Sequence, residues 1–356
     1  MSAPLRQKKV TVKQTVKSKD DMMVGEIKPQ KTYKIVKVND HGGYDPEYSV
    51  TFRITEACDL QCNYCHWHAG RHYKYEDIIT SIDRLFEFFQ KQKFRSVMFY
   101  YHGGEATRHP KALDILRYVK QKSKDTGIIA YNEMQTNLTF KTELLEELLP
   151  LCDQFNVSLH YLELRDRDNK LEAFTRNFNK LKELGVAIHN FDVMLENVPE
   201  EYLEEFYTYI KDCLSYDKII NSEMIYGFCH YAYNEETAAR HLEFYKNYNK
   251  TEQQYCIDGV MYNTNDLFKK GIDNRGWHCA AGTQSITING DGNVYHCGIH
   301  MTNYLRECID ETPYTNLVTE AMAITKMSVL YKSGTRCRWD YCGGDFYLSR
   351  KPFNQS

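Results

Sequence analysis

Strands and helices alternate along residues 48–250, and this alternation restricts the fold more than any other feature of the chain. Segments with apolar residues at helical spacing, such as Ile78, Ile82 and Leu85, separate short apolar runs of strand length. The runs that predict strands are 49–55, 96–101, 128–136, 155–159, 186–195 and 219–228. Strands that alternate with helices form parallel sheets. Six such units predict an α/β fold with a partial (β/α)6 TIM-like barrel, since a closed barrel needs eight.

Three cysteines, Cys58, Cys62 and Cys65, follow the first of these strands with the spacing C-x3-C-x2-C. Parallel barrels carry their chemistry in the loops that follow the strands. Three thiolates suit a [4Fe–4S] cluster with one iron left without a protein ligand, whereas an electron-transfer cluster takes four cysteines. The alternative is a zinc site, for which His66 or His68 is close enough to supply a fourth ligand.

A Gly103-Gly104-Glu105 segment ends the second predicted strand. Glycine allows the backbone to approach another group closely, and carbonyl and carboxylate oxygens accept hydrogen bonds from an ammonium group. The same three residues in isolation predict no more than a turn. Their place one strand after the cysteines favours a ligand site.

The cysteine spacing and the Gly-Gly-Glu segment together resemble the radical S-adenosylmethionine (radical SAM) superfamily. The resemblance implies a cluster on the three cysteines, SAM on its open iron, and the Gly-Gly-Glu segment at the amino group of SAM. It also implies cofactor contacts at the later strand ends and beside the third cysteine, from Tyr64, Thr136, Asn137 and Ser158. The chain departs from the family pattern at Ala106, where proline is common, and at His160, where aspartate is common.

Four further cysteines are candidate metal ligands in the C-terminal third, namely Cys279, Cys297, Cys337 and Cys342. The first two flank a Gly290-Asp291-Gly292 segment between two strand-like runs, which predicts a β-hairpin. This arrangement resembles the twitch and SPASM extensions of radical SAM enzymes, and it implies a second, auxiliary [4Fe–4S] cluster. The alternatives are zinc on the same thiolates and the replacement of one ligand by Cys308.

The predicted organisation has three parts: a basic N-terminal extension (1–47), a radical SAM partial barrel (48–250), and a smaller twitch- or SPASM-like α+β domain (251–356). Residues 1–40 carry ten Lys or Arg and four Asp or Glu, which indicates either a nucleic-acid-binding arm or a solvated tail. The sequence has neither a secretory signal nor a long apolar run, so we expect a cytoplasmic protein that does not engage a membrane. In that compartment twelve cysteines indicate metal ligands and thiols rather than disulfides.

The resemblance implies an enzyme that takes one electron from a donor such as flavodoxin or ferredoxin. It would cleave SAM reductively to a 5′-deoxyadenosyl radical and abstract hydrogen from an unactivated C–H bond. We expect oxidoreductase or isomerase chemistry, namely oxidation, cross-linking or rearrangement of a peptide, protein or nucleotide. The alternatives are a nucleic-acid base-modifying enzyme that uses the basic arm, and a non-catalytic iron–sulfur binding protein. Candidate acid–base residues, for which a structural role is the alternative, are His102, His160, Glu163 and Glu223.

Overall fold

A computed structural model describes the core of the chain and several shorter segments beyond it. The described residues are 36–37, 46–62, 65, 70–186, 188–193, 198–213, 254–257, 260–263, 278–279, 281–296, 313–333, 335–336 and 348–349. Within this part of the chain, no helix is both long and apolar enough to cross a lipid bilayer.

The strands and helices follow the predicted alternation through residue 213. The described strands are β1 (Val36–Lys37), β2 (Tyr48–Thr55), β3 (Ser96–Gly103), β4 (Ile129–Thr136), β5 (Gln154–Leu159), β6 (Ile188–Val193), β7 (Gln254–Ile257), β8 (Val260–Asn263), β9 (His278–Cys279), β10 (Ser285–Asn289), β11 (Asn293–Tyr295), β12 (Thr315–Asn316), β13 (Thr335–Arg336) and β14 (Leu348–Ser349). The described helices are α1 (Tyr75–Gln92), α2 (Ala112–Thr126), α3 (Thr142–Leu148), α4 (Tyr161–Arg165), α5 (Lys170–Glu183), α6 (Leu203–Thr208) and α7 (Ala323–Ser333). Short 3₁₀ segments lie at Ala106–Arg108 and Glu200–Tyr202, and a π-helical turn lies at Tyr209–Cys213.

Within the described residues, the central sheet has eight strands in the order β12-β11-β10-β2-β3-β4-β5-β6. Neighbouring strands from β2 to β6 pair in parallel, which confirms the α/β class and the parallel sheet of a partial barrel. The sixth expected strand, 219–228, lies outside the described residues. Because the strands are parallel, their carboxyl ends meet at one edge of the sheet, and the loops that follow β2, β3, β4 and β5 lie side by side there.

The predicted hairpin is present as β10 and β11, which pair in antiparallel fashion. It does not stand apart from the barrel sheet, since β10 pairs in parallel with β2 from Ser285 opposite Ser49 to Asn289 opposite Arg53. Two smaller three-stranded sheets have the orders β1-β7-β8 and β13-β9-β14. The division of the chain at residue 250 stays a prediction.

The two faces of β2 differ because successive side chains of a strand point to opposite sides. Tyr48 lies on the helix-covered face, where its ring centroid is 5.6 Å from that of Phe88 on α1 and 6.1 Å from that of Tyr331 on α7. On the same face Phe99 of β3 packs against Phe86 with a centroid distance of 5.9 Å. The opposite face of β2 carries Thr51, Arg53 and Thr55, so polar residues line the inner side of the sheet next to the site described below.

Candidate functional site

The cysteine loop begins directly after β2, where the sequence pattern predicts it. A β-bridge between Thr55 and His72 closes the base of this loop. The backbone N–H of Glu56 also donates to the carbonyl oxygen of Arg71 at 2.7 Å. The loop therefore leaves the sheet and returns to it at the same place.

The carboxylate of Glu56 strengthens this closure. Its Oε1 accepts a hydrogen bond from the Tyr73 hydroxyl at 2.7 Å and another from Arg71 Nη2 at 3.0 Å. Arg53 Nη1 lies 3.7 Å from the same oxygen. Hydrogen bonds to an ionised carboxylate are stronger than neutral ones, so this group fixes both ends of the cysteine loop. The sequence pattern did not indicate this role of Glu56.

The three cysteines of the loop form no disulfide in the structure. The sulfur of Cys58 receives two donors, the backbone N–H of Leu60 at 3.4 Å and Asn137 Nδ2 at 3.8 Å. Burial raises the pKa of the Cys58 thiol to about 12, so the thiol is protonated at neutral pH unless a metal displaces the proton. The backbone N–H of Cys65 donates to the carbonyl of Cys62 at 3.0 Å, which makes a tight turn between the second and third cysteines.

Three residues near this turn, Tyr64, His66 and His68, lie outside the described part of the chain. Among the residues that are described, no three His, Cys, Asp or Glu side chains are gathered as a set of metal ligands. The case for a cluster therefore depends on the chemistry of the donors. Three thiols share one loop, and N–H groups point at the sulfur of the first.

The Gly-Gly-Glu segment lies beside the cysteine loop. The backbone N–H of Gly104 donates to the Thr55 carbonyl at 3.1 Å, and that of Glu105 donates to the Ala57 carbonyl at 2.8 Å. A Cβ atom on Gly103 would overlap the carbonyl oxygen of Thr55, and one on Gly104 would overlap that of Ala57. The two glycines are thus required for close contact with the chain's own backbone at the start of the cysteine loop, whatever ligand binds beside them.

Glu105 is 2% exposed, and its carboxylate is held from two sides. Oε2 accepts the backbone N–H of Asn137 at 2.8 Å, and Oε1 accepts the Thr107 hydroxyl at 2.7 Å. Burial raises the pKa of Glu105 to about 7, against the opposing effect of these hydrogen bonds. A carboxylate that ionises near neutral pH in a buried place is suited to pairing with a cation.

The loop after β4 brings Asn137 between the cysteines and Glu105. Leu138, the next residue, has a φ of +52°, an uncommon conformation for leucine. Asn177 of α5 holds this turn, because its Nδ2 donates to the carbonyls of Leu138 and Phe140 at 2.9 and 2.7 Å. Thr136 Oγ1 accepts the N–H of Leu138 at 3.0 Å. Thr136 therefore shapes the turn that carries Asn137.

Ser158 lies on β5 within a polar row across the inner side of the sheet. Its Oγ accepts a hydrogen bond from Gln135 Nε2, which also donates to Asp192 Oδ2 of β6 at 3.3 Å. The hydroxyl of Tyr100 donates to Gln135 Oε1. Gln135 and Asp192 extend the row beyond what motif matching suggested. Alternation along the strands was the one sequence signal that could have found them.

The candidate acid–base residues are distributed over different positions. His160 follows β5 directly, and burial lowers its pKa to about 4. Glu163 lies on α4, where its Oε2 is 3.6 Å from Arg167 Nη2, and Glu223 lies outside the described residues. His102 of β3 precedes the Gly-Gly-Glu segment. Burial and the nearby Arg53 lower its pKa to about 4, and its Nδ1 has no hydrogen-bond partner among the described residues.

Most of the C-terminal cysteine set lies outside the described residues, namely Cys297, Cys308, Cys337 and Cys342. The backbone of Cys279 belongs to β9, where it pairs with Thr335 of β13 and with Leu348 of β14. The strand β13 ends one residue before Cys337 in the sequence.

Comparison with known proteins gives a family match and similarity to several solved structures. The sequence model of the radical SAM superfamily matches residues 52–210. The structure of native anSMEcpe with bound AdoMet and the Cp18Cys peptide is 15% identical to this chain. The match covers 79% of this chain and 80% of the anSMEcpe chain, with a TM-score of 0.50. The structure of hexahistidine-tagged anSMEcpe with bound AdoMet is 16% identical over the same shares, also with a TM-score of 0.50. No curated protein sequence gives a significant match.

At these identities the two structures establish a shared fold, and the family match adds the sequence relationship. The matched segment contains the cysteine loop, the Gly-Gly-Glu segment and the turn after β4 that joins them. Residues 52–210 therefore match the radical SAM superfamily in sequence.

Proposed function

We propose that this protein is a SAM-cleaving radical enzyme whose reaction begins at the carboxyl ends of β2, β3 and β4. One observation carries the proposal. The backbone of the Gly-Gly-Glu segment is hydrogen-bonded to Thr55 and Ala57 at the start of the cysteine loop. Two motifs that are about 40 residues apart in the sequence thus form one continuous structure.

The described residues fit the cofactors of this family by the chemistry of their donors. Cys58, Cys62 and Cys65 would hold a [4Fe–4S] cluster, and the N–H groups at the Cys58 sulfur suit a thiolate. The buried carboxylate of Glu105 would bind the ammonium group of SAM. When bound, the cluster and SAM supply reductive sulfonium cleavage and the 5′-deoxyadenosyl radical. Thr136 and Asn177 hold the turn that carries Asn137. Ser158 belongs to the polar row on the face of the sheet opposite the helices.

The direct test is to measure 5′-deoxyadenosine formed from SAM by the anaerobically reconstituted full-length protein after reduction with dithionite. We expect a product that accumulates with time and depends on both SAM and reductant. If a sample with a full complement of iron and sulfide forms none, the protein is not a SAM-cleaving enzyme. The non-catalytic iron–sulfur alternative would then hold.

The Glu105 carboxylate predicts a pH dependence for SAM binding. With a pKa of about 7, Glu105 is mostly ionised at pH 8 and mostly protonated at pH 6. Since the ionised form attracts the ammonium group, we expect SAM affinity to fall about tenfold between pH 8 and pH 6. Titration calorimetry of the reconstituted protein at pH 6, 7 and 8 measures this change.

The Glu105→Gln variant is the control for this profile, because it keeps the size of the side chain and removes its ionisation. The variant should bind SAM more weakly at pH 8. Any pH dependence that remains reports ionisation of SAM itself or of other groups. If the variant and the natural protein have parallel profiles, Glu105 does not bind the ammonium group.

The finer parts of the proposal concern the C-terminal region and the substrate. We infer a second cluster on Cys279, Cys297, Cys337 and Cys342, supported by the backbone pairing of Cys279 with the strand that precedes Cys337. Such a cluster would accept an electron from a product radical, which suits a net oxidation or cross-link of a peptide or nucleotide. A flavodoxin or ferredoxin in the cytoplasm would supply the first electron.

A further inference from the structure

The side chain of Asp59, which follows the first cysteine of the loop, is bonded to two distant parts of the chain. Its Oδ1 accepts Asn137 Nδ2 at 3.1 Å. Its Oδ2 accepts the Thr139 hydroxyl at 2.5 Å and also pairs with Lys170 Nζ. The Asp59 side chain is 12% exposed, so three donors hold a carboxylate that is largely withdrawn from water.

The backbone of Asp59 is held as well. Arg167 Nη1 donates to the carbonyl oxygen of Asp59 at 3.3 Å. Lys170 is the first residue of α5 and Arg167 lies three residues before it, whereas Asn137 and Thr139 lie in the turn after β4. Asp59 is thus the residue at which the cysteine loop, the β4 turn and α5 are joined.

Asn137 connects this junction to both predicted cofactor sites. Its Nδ2 lies 3.1 Å from Asp59 Oδ1 and 3.8 Å from Cys58 Sγ. Its backbone N–H donates to Glu105 Oε2 at 2.8 Å. Because one asparagine contacts all three side chains, a shift of the Asp59 carboxylate moves the donor at the Cys58 sulfur and the backbone that holds Glu105.

We propose that Asp59 is a positioning residue for the cluster, which fixes the Cys58 sulfur through Asn137 and fixes the loop through Thr139, Arg167 and Lys170. This inference rests on the proposed function, because it treats Cys58 as a cluster ligand. Groups that hold metal ligands in place are commonly worth about 10- to 100-fold in metal affinity. Asp59 is expected to contribute at that level without touching iron.

The Asp59→Asn variant tests the proposal on the full-length protein. The substitution keeps the size of the side chain, removes the charge opposite Lys170, and places an amide N–H2 group against the donors of Asn137, Thr139 or Lys170. We expect the reconstituted variant to lose iron to a chelator about tenfold faster than the natural protein. We also expect an altered electron paramagnetic resonance spectrum of the reduced cluster.

Asp153→Asn is the matched control, because Asp153 also forms a carboxylate–lysine pair. Asp153 lies just before β5, at the amino ends of the parallel strands, whereas the cysteine loop lies at the carboxyl ends. Its Oδ2 accepts Lys120 Nζ at 2.5 Å and the backbone N–H of Asn132 at 2.7 Å. The side chain is 23% exposed. Asp153→Asn should lower the melting temperature by an amount comparable to Asp59→Asn, with iron release and spectrum unchanged. Equal effects of the two variants on iron would reduce Asp59 to a general stabilising residue and overturn the proposal.

Lys170 provides a second route if Asp59→Asn fails to fold. Lys170→Met removes one donor to Asp59 and leaves the loop sequence intact, whereas Lys170→Arg retains the charge. We expect faster iron release in the first variant and near-natural release in the second. Natural rates and spectra in both Asp59→Asn and Lys170→Met would refute the positioning role while leaving the proposed function intact. If the natural protein itself holds no iron after reconstitution, the proposed function and this inference fall together.

Discussion

Replacing all three loop cysteines with alanine should abolish 5′-deoxyadenosine formation while the protein stays folded. Cys58, Cys62 and Cys65 are the proposed ligands of the SAM-binding cluster, so the triple variant Cys58→Ala, Cys62→Ala and Cys65→Ala cannot retain it. The base of the loop is closed by the Glu56, Arg71 and Tyr73 contacts, which the variant does not change. We therefore expect product below detection together with a cooperative thermal transition.

Iron content of the same variant separates the two proposed clusters. Each [4Fe–4S] cluster contributes four irons, so a protein with two clusters should fall from about eight irons to about four. Mössbauer spectra of the natural protein and the variant measure the change and identify the remaining iron. A fall from about four to none, with zinc retained, would instead make the C-terminal cysteines a structural zinc site and remove the electron-accepting step.

Cys152→Ala is the control for this experiment. Cys152 is buried and lies just before β5, at the amino ends of the parallel strands, whereas the cysteine loop follows the carboxyl end of β2. Its loss should lower stability by about 1 kcal/mol through a small cavity, with iron content and product formation unchanged. If Cys152→Ala removes iron as completely as the triple variant does, iron content reports the folded state of the protein and not ligation by the loop.

Local sequence patterns predicted the parts of the fold that depend on local periodicity. The strands from 48 to 193 lie within a few residues of their expected bounds, and helices separate them as expected. The cysteine loop and the Gly-Gly-Glu segment follow the expected strands. These predictions work because side-chain alternation and helical spacing are properties of a few consecutive residues.

The long-range contacts could not be predicted in the same way. Pairing of β10 with β2 joins residues about 236 positions apart, and no local pattern specifies which sheet edge a hairpin joins. The pairing of Lys170 with Asp59 spans 111 residues. Asp59 carries no sequence signal, because a polar residue between two cysteines belongs to no periodic pattern. Its importance depends on which distant donors the fold brings to it.

Gly104→Ala should impair both stability and SAM binding, for a reason found in the backbone and not in any ligand. A Cβ atom at this position would lie 2.6 Å from the carbonyl carbon of Ala57 and 2.7 Å from the carbonyl oxygen of Glu56. These are backbone atoms of the strand end that leads into the cysteine loop, so they cannot rotate away as a side chain would. We expect a cost of about 1–3 kcal/mol in the free energy of unfolding.

The same displacement should be transmitted to the proposed cofactor site. Gly104 and Glu105 donate to Thr55 and Ala57, so a methyl group that separates the two segments moves the Glu105 carboxylate away from the cysteines. In the proposed site, SAM binding needs the Glu105 carboxylate and the cysteine loop at a fixed separation. We therefore expect SAM affinity and 5′-deoxyadenosine formation to fall at least about tenfold, as follows when a charge-assisted hydrogen bond worth about 1.5–3 kcal/mol is lost.

Gly127→Ala separates this local effect from a general loss of stability. Gly127 ends α2 with a φ of +72°, and no atom lies within 4 Å of the place that a Cβ would occupy, so alanine there is strained in conformation without a steric clash. The expected cost is about 1–2 kcal/mol, similar to that of Gly104→Ala. Chemical unfolding and SAM calorimetry on both variants give the comparison.

Of these two glycines, only Gly104 contacts the start of the cysteine loop. We therefore expect both variants to lose a similar amount of stability, but only Gly104→Ala to lose SAM binding. That result would assign SAM binding to the junction between the cysteine loop and the Gly-Gly-Glu segment. Retained SAM binding in Gly104→Ala would show that this junction can open without disturbing the site.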